Sequence, residues 1–493
     1  MAKSSKLLAF DFGAESGRAL LGTIEDKKLR LQEIHRFPNT PVRVLGHLHW
    51  DILRLFHEIK QGLRIALQET GGEIDGIGID TWGVDFGLLD HNGELLGNPF
   101  HYRDEHTNGV MDEVFKVVPR REVFERTGIQ FLQFNSLYQL YAIAKSGSPA
   151  LKYASTLLMI PDLFNYWLTG RKVGEFSNAT TTQCYDPRTG DWAQDMLTKL
   201  GIPTHILPDL VMPGTTIGPL AKSLVNELGG GQGIDVIAPA THDTGSAVVA
   251  VPATGENHAY ISSGTWSLMG VELKQPLINQ ESYNKDFTNE GGIEGTFRFL
   301  RNIMGLWIVQ ECRRTWLNAG EDVSYAELTQ MAEDSPGFVS VINPDAPVFL
   351  PPGDMPLRVK EFCRNTGQAV PCSMGEVIRC VLDSLALRYR STIEDLESLL
   401  GKRLDPIHIV GGGTQNKLLC QLTSDATGRT VVAGPIEATA IGNVLAQAIG
   451  KGFIGSLDEA REIVRNSFDL ITYQSRESAT IDTAYQIFKQ ISS

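Results

Sequence analysis

Two acids stand where an anion could be handled. An apolar run, Leu7-Leu8-Ala9-Phe10, reaches Asp11 and breaks into Phe12-Gly13-Ala14-Glu15-Ser16-Gly17-Arg18. A glycine-bearing turn directly after a strand can aim backbone N–H groups at oxygens and lets the main chain come close to them. Asp11 has two readings: a strand-end carboxylate that caps the turn, or one aimed at a metal-bound phosphate. The turn lacks the Gly-Lys-Ser/Thr ending of a Walker loop. It also runs into another apolar stretch, 19–24, and not a helix, so the Rossmann fingerprint does not apply either. The second acid is Asp243, in Thr241-His242-Asp243-Thr244, where the β-type run 234–238 gives way to an apolar helix. An acid there is favoured by the helix dipole, which keeps it ionised. It is either a helix cap or a base that accepts a hydroxyl proton. Phosphoryl transfer needs such a base, together with positioning and charge neutralisation by a metal.

Two further turns bear on the same chemistry. Ser262-Ser263-Gly264-Thr265 repeats the layout of the first hairpin with hydroxyls, and Gly411-Gly412-Gly413 lies between a buried strand and a helix. Alone, each is an ordinary turn. Ligands of open α/β sheets bind outside the carboxyl ends of the strands, so three such turns, drawn from both halves, suggest a nucleotide clamped in an interdomain cleft.

The elements that must position these turns follow from hydrophobic spacing. Strands are expected over 29–37, 77–89, 234–238, 407–410 and 431–433, and helices over 50–71, 137–145, 375–400 and 416–427, with a last one running through Ala448. Gly401 is the expected cap of the long helix. Residues 260–271 restart the opening pattern of strand, turn and strand. The chain is thus α/β with a weak internal duplication, and its domain boundary is expected near 250–256.

At 493 residues the chain is too long for one core, and two domains of roughly 200 to 250 residues are expected. A net charge of −14 argues against a broad nucleic-acid surface. No run of 18 apolar residues is present, and the N-terminal apolar stretch is too short for a signal peptide. Six cysteines without CxxC spacing read as reduced thiols, which points to the cytoplasm.

Taken together, these positions resemble the FGGY carbohydrate kinases of the actin/hexokinase-like ATPase superfamily. The resemblance runs from the first strand to about Ala448. Besides the turns, it is carried by "GIGIDTWGVDFGLLD" (76–90), "YRDEHTNG" (102–109), "RTGIQFLQFNSLYQL" (126–140), "NATTTQ" (178–183), "HDTGSAV" (242–248), "TNEGG" (288–292), "NIMGLW" (302–307), "HIVGGGTQN" (408–416) and "AGPIEATAIGN" (433–443).

The resemblance implies two ribonuclease H-like domains with mixed sheets flanked by helices, closing over a cleft that holds the active site. Residues 1–250 would carry the sugar site and the first phosphate hairpin, and 251–493 the nucleotide site. It also implies ATP and Mg²⁺ as cofactors. The expected substrate is L-rhamnulose, phosphorylated at its first-carbon hydroxyl; the alternatives are L-fuculose, L-xylulose and L-ribulose. No nucleic acid, membrane or obligate protein partner is implied. Residue by residue, Asp243 would be the proton acceptor, and Gly83, His242, Asp243, Thr244 and Asn302 would contact the sugar. Ala14, Glu15, Ser16, Gly17, Arg18, Thr265, Gln310 and Gly412 would contact ATP, with Asp11 near the magnesium through water. Glu15 stands where relatives often carry a small hydroxyl residue, so it should point away from phosphate. Gln139 and Ala142 replace a Lys and a Trp found in many relatives. Cys363 and Cys380 have a spacing at which some relatives have been given a disulfide, and free thiols are the expectation in a reducing cytosol.

Overall fold

A computed structural model describes residues 4–477 and 479–492. The chain forms two compact units that are discontinuous in sequence. The first takes the chain up to Ala250 and adds Glu272–Phe299 and Ala438–Ser467; the second takes Val251–Val271, Leu300–Glu437 and the chain from Phe468 on.

In the first unit, the Ser5–Phe12 and Ser16–Glu25 strands pair antiparallel as the expected hairpin, and Ser16–Glu25 pairs antiparallel with Lys28–Pro38. On the other side Ser5–Phe12 runs parallel to Gly76–Thr81, which runs parallel to Asp235–Ile237. Thr216–Pro219 closes that edge antiparallel. The second unit repeats the plan. Ala259–Ser263 pairs antiparallel with Trp266–Leu273 and parallel with Ile407–Val410, then Val431–Ala433 follows parallel and Ile471–Tyr473 antiparallel. The duplication expected from layout is therefore a duplication of sheet topology. Among the described residues no helix is long and apolar enough to cross a membrane.

Local chemistry explains the element ends. The Ile52–Thr70 helix starts where the Asp51 side chain accepts from Arg54 N–H, and stops at Gly71 with φ 64°; its Ile52, Leu55, Ile59, Leu63 and Ala66 face is buried. The Met374–Leu400 helix opens on a reciprocal Ser373–Glu376 capping box and ends at Gly401, φ 66°. One expected strand is corrected. The run 77–89 is two strands, Gly76–Thr81 in the main sheet and Phe86–Leu89 paired with Thr156–Met159. The chain leaves the sheet at residues 82–85 because a buried carboxylate and a left-handed valine sit there, as described below.

The Ala438–Gly450 helix packs on the Asp243–Val249 helix so closely that a Cβ on Gly442 would lie 1.7 Å from the Ser246 carbonyl oxygen. Gly442→Ala must therefore push apart the two helices behind Asp243. We expect a destabilisation of about 3 kcal/mol or more, read as a lowered denaturant midpoint. An unchanged midpoint would show that the contact relaxes freely.

Candidate active site

The first unit gathers three aspartates at the carboxyl ends of neighbouring parallel strands. Asp11 and Asp80 are register partners across Ser5–Phe12 and Gly76–Thr81. The next crossing is made by Thr81, whose N–H donates to the Thr241 carbonyl (2.9 Å) and which forms a parallel bridge with His242. This brings Asp243 beside the other two. Burial raises the Asp243 carboxyl above the ordinary range and Asp11 adds to the rise, while His242 opposes it. The expected ionising pull of the helix dipole is thus outweighed by desolvation, which makes Asp243 a better base. Its side chain keeps 31% of its surface open, and its Oδ1 accepts from Thr244 N–H at 2.5 Å.

Asp80 was not anticipated. It is fully buried, its Oδ2 accepts from Asn443 Nδ2 (2.6 Å), and its Oδ1 has no hydrogen-bond partner. Burial first, then Asp11, pushes its carboxyl far up. An orphaned carboxylate oxygen among like charges suits a divalent cation, and one or two carboxylates plus phosphate oxygens are a common magnesium environment. Asp11 and Asp80 therefore offer carboxylate oxygens that fit a divalent cation. Asn443 is itself held by Gln447, whose Nε2 donates to Asn443 Oδ1 (2.7 Å) and to the Leu8 carbonyl (3.2 Å).

The first hairpin uses its glycines differently from the expectation. A Cβ on Gly17 would strike the Phe37 ring at 2.3 Å, so this glycine serves packing. Gly13 N–H donates to the Ser16 carbonyl (3.0 Å), closing the turn. Arg18 reaches back to Asp11, its Nη2 donating to Oδ2 at 2.7 Å. Ala14 and Ser16 are half-buried and Glu15 is exposed at the tip.

Residues 82–85 form a strained loop next to the acids. Val84 has φ 67°, a region that β-branched residues avoid. Its N–H donates to Thr181 Oγ1 (3.1 Å) and its carbonyl accepts from Ser136 Oγ (2.5 Å). Gly83 is pressed against the same Thr181, where a Cβ would come within 2.9 Å of Oγ1. Asp85, fully buried, collects N–H donors from Trp50 (2.6 Å), Trp82 (2.9 Å), Tyr102 (3.2 Å) and Gln139 (2.9 Å). Burial nonetheless pushes its carboxyl up to about 7 against those four donors. The Trp50 and Trp82 rings lie 4.0 Å apart. Gln139 is thus spent on this clamp.

Another buried acid, Glu175, holds the 241–243 segment. It accepts from the N–H and Oγ of Ser177 (2.8 and 2.6 Å) and from the N–H and Oγ1 of Thr241 (2.9 and 2.6 Å). Ser177 Oγ also accepts from His242 N–H (3.2 Å), and Thr180 Oγ1 from Gly291 N–H (2.7 Å). The stretch 175–183 therefore ties together the 82–85 loop, the 241–243 segment and the strand at 288–291. Its "NATTTQ" motif marked the region, but Glu175 itself carried no sequence signal.

In the second unit the predicted nucleotide residues also converge. Gly411 (φ 88°) and Gly413 pack on Ser263, where Cβ atoms would lie 3.0 Å from its carbonyl and 2.0 Å from its Oγ; Gly412 between them is exposed and faces open space. Leu306 and Trp307 N–H donate to the Gly264 and Thr265 carbonyls (3.0 and 3.1 Å). One turn on, Gln310 has a buried Oε1 with no hydrogen-bond partner. Asn302, expected at the sugar, belongs to this unit, whereas Gly83, His242, Asp243 and Thr244 belong to the first. All six cysteines are unlinked, and the sulfurs of Cys363 and Cys380 stand 3.9 Å apart.

Comparison with known proteins gives the same answer over nearly the whole chain. The chain is 45% identical over 481 residues to the rhamnulokinase of Bacteroides thetaiotaomicron, covering 98% of each. It is 44% identical to the rhamnulokinase of Oceanobacillus iheyensis, over 94% of this chain and 97% of that one. In fold it matches the crystal structure of gluconate kinase from Lactobacillus acidophilus with a TM-score of 0.82 at 17% identity, over 99% and 97% of the two chains. Residues 6–250 match the N-terminal domain and 259–450 the C-terminal domain of one kinase family. With its paired sheets and its acids at the strand ends, this chain belongs to the FGGY family of carbohydrate kinases.

Proposed function

We propose that this kinase transfers the γ-phosphoryl group of ATP to the first-carbon hydroxyl of L-rhamnulose, giving L-rhamnulose 1-phosphate and ADP, in the cytoplasm. The likeness to rhamnulokinases at 44–45% identity over almost full length supports the substrate. The observation that carries the mechanism is the solvent-facing, raised carboxylate of Asp243 beside Asp11 and Asp80.

Asp243 accepts the proton of the attacking hydroxyl, and Thr244 and His242 hold the carboxylate in place. Trp82, Gly83 and His242 border the sugar, and Asn302 is proposed as a further sugar contact. The turn 14–18, Thr265, Gln310 and Gly412 hold the nucleotide, and main-chain amides around Gly412 can approach phosphate because no side chain intervenes. Asp11, through water, and Asp80 would hold Mg²⁺, which when bound would neutralise phosphate charge as it develops. Arg18 keeps Asp11 turned toward that position.

A coupled ADP-release assay across L-rhamnulose, L-fuculose, L-xylulose and L-ribulose tests the substrate. The highest kcat/KM is expected with L-rhamnulose. Equal or better turnover of another ketose would transfer the assignment to that sugar.

A further inference from the structure

The "TNEGG" motif (288–292) marks the family likeness, yet the functional reading gives it no task. Its Glu290 meets Arg298 and His242. Arg298 is fully buried, its Nε donating to the Gly291 carbonyl at 2.8 Å, which fixes the guanidinium plane. Its Nη2 lies 3.1 Å from His242 Nδ1 and 3.2 Å from Glu290 Oε2, and Glu290 Oε2 lies 3.2 Å from the same Nδ1. On the other side of the ring, His242 Nε2 is 3.4 Å from Asp243 Oδ1.

A guanidinium has only donors. A hydrogen bond from Nη2 therefore requires a bare Nδ1, and the ring proton is left on Nε2, because the partner of one ring nitrogen sets the state of the other. Glu290 balances the buried guanidinium, which would otherwise be an uncompensated charge. The opposite tautomer would place Nδ1–H toward Glu290 but set it against the Nη2 proton. The charged groups around the ring are Asp243, Glu290 and Arg298, with Asp80 and Asp11 beyond Asp243. Glu175 reaches His242 only indirectly, through Thr241 and through Ser177, whose Oγ accepts from the His242 backbone N–H.

We propose that Arg298, backed by Glu290, is a positioning residue that locks His242 in its Nε2–H tautomer, so that a fixed donor faces Asp243 and the sugar oxygens. The catalytic consequence rests on the sugar-kinase reading of the site, but the tautomer does not. A donor held there orients the acceptor hydroxyl and keeps the Asp243 carboxylate from turning away. The ring then does not compete with Asp243 for the hydroxyl proton.

Histidine-selective ¹⁵N labelling of the full-length protein tests this without turnover, with the His242 signals identified by their loss in His242→Gln. Near neutral pH the wild type should show a pyridine-type Nδ1 and a pyrrole-type Nε2. Arg298→Met should switch the ring to Nδ1–H facing Glu290 and lower kcat on the order of 10²-fold. Arg298→Lys, which keeps a pure donor, should restore part of both. A protonated Nδ1 in the wild type, as either the other tautomer or an imidazolium, overturns the proposal even if no Arg298 variant folds. So does an unchanged tautomer in a folded Arg298→Met. If the ketose panel fails while Nε2–H is found, only the substrate reading falls.

Discussion

Asp243→Asn is expected to lower kcat by roughly 10²–10⁴-fold, the usual contribution of a general base, with KM for sugar and ATP near wild type. The amide is nearly isosteric and its oxygen can still accept from Thr244 N–H, so helix and pocket are preserved. What disappears is the basic carboxylate that takes the hydroxyl proton. The pH profile gives an independent check. The Asp243 carboxyl lies above the ordinary aspartate range, because burial and then Asp11 disfavour its charged form against the pull of His242. Activity should therefore fall, as pH is lowered, at a higher pH than an exposed aspartate would give, and this limb should vanish from the residual activity of the variant. Steady-state kinetics decides the point: a variant that keeps most of its turnover would reduce Asp243 to a helix-terminal acid.

Asp80→Asn should move stability and activity in opposite directions. The Asp80 carboxyl is far above its unfolded value in the native protein, chiefly through burial and then through Asp11. For such a group the folded state binds the proton more tightly. The penalty is absent at pH below about 4, grows as pH rises through the unfolded value, and is complete above the folded one. At neutral pH the native carboxylate therefore subtracts stability. An asparagine removes the charge, can still accept from Asn443, and can use its amide as a donor where Oδ1 has none. The ligand-free variant should melt at least about 2 °C higher near neutral pH, with the gain shrinking toward acid, while kinase activity falls sharply because the proposed metal site loses a carboxylate. Thermal melts at several pH values, each paired with an activity assay, test both halves. A variant that melts lower at every pH would show that an attraction on the Asp80 carboxylate outweighs the cost of its burial.

Much of the fold was legible because it is written in local periodicity and turn chemistry. The strands at 407–410 and 431–433 stand where alternation placed them, and Gly401 ends the long helix as a left-handed cap. The run 77–89 misled for a physical reason. Its apolar residues look continuous, and nothing local announces that Asp85 is buried under two tryptophans or that Val84 adopts φ 67°. The glycines divide in the same way. Gly412 faces open space, whereas Gly17, Gly411 and Gly413 are small because Phe37 and Ser263 occupy the space.

By itself, the sequence determined the α/β class, the duplicated hairpin plan, Asp11 and Asp243 as the acids to test, and the family. The first three rest on residue types at short spacing, and the family on the likeness of motifs spread along the chain. The tertiary structure alone decided which acids meet. Asp80 acquires its raised carboxyl only when strands some 70 residues apart along the chain lie in register. Asn443 and Gly442 join the site from a helix near the far end of the chain, and Arg298 reaches His242 across a strand turn. Burial and long-range pairing set the charge and proton state of these groups, and neither is a property of any short stretch.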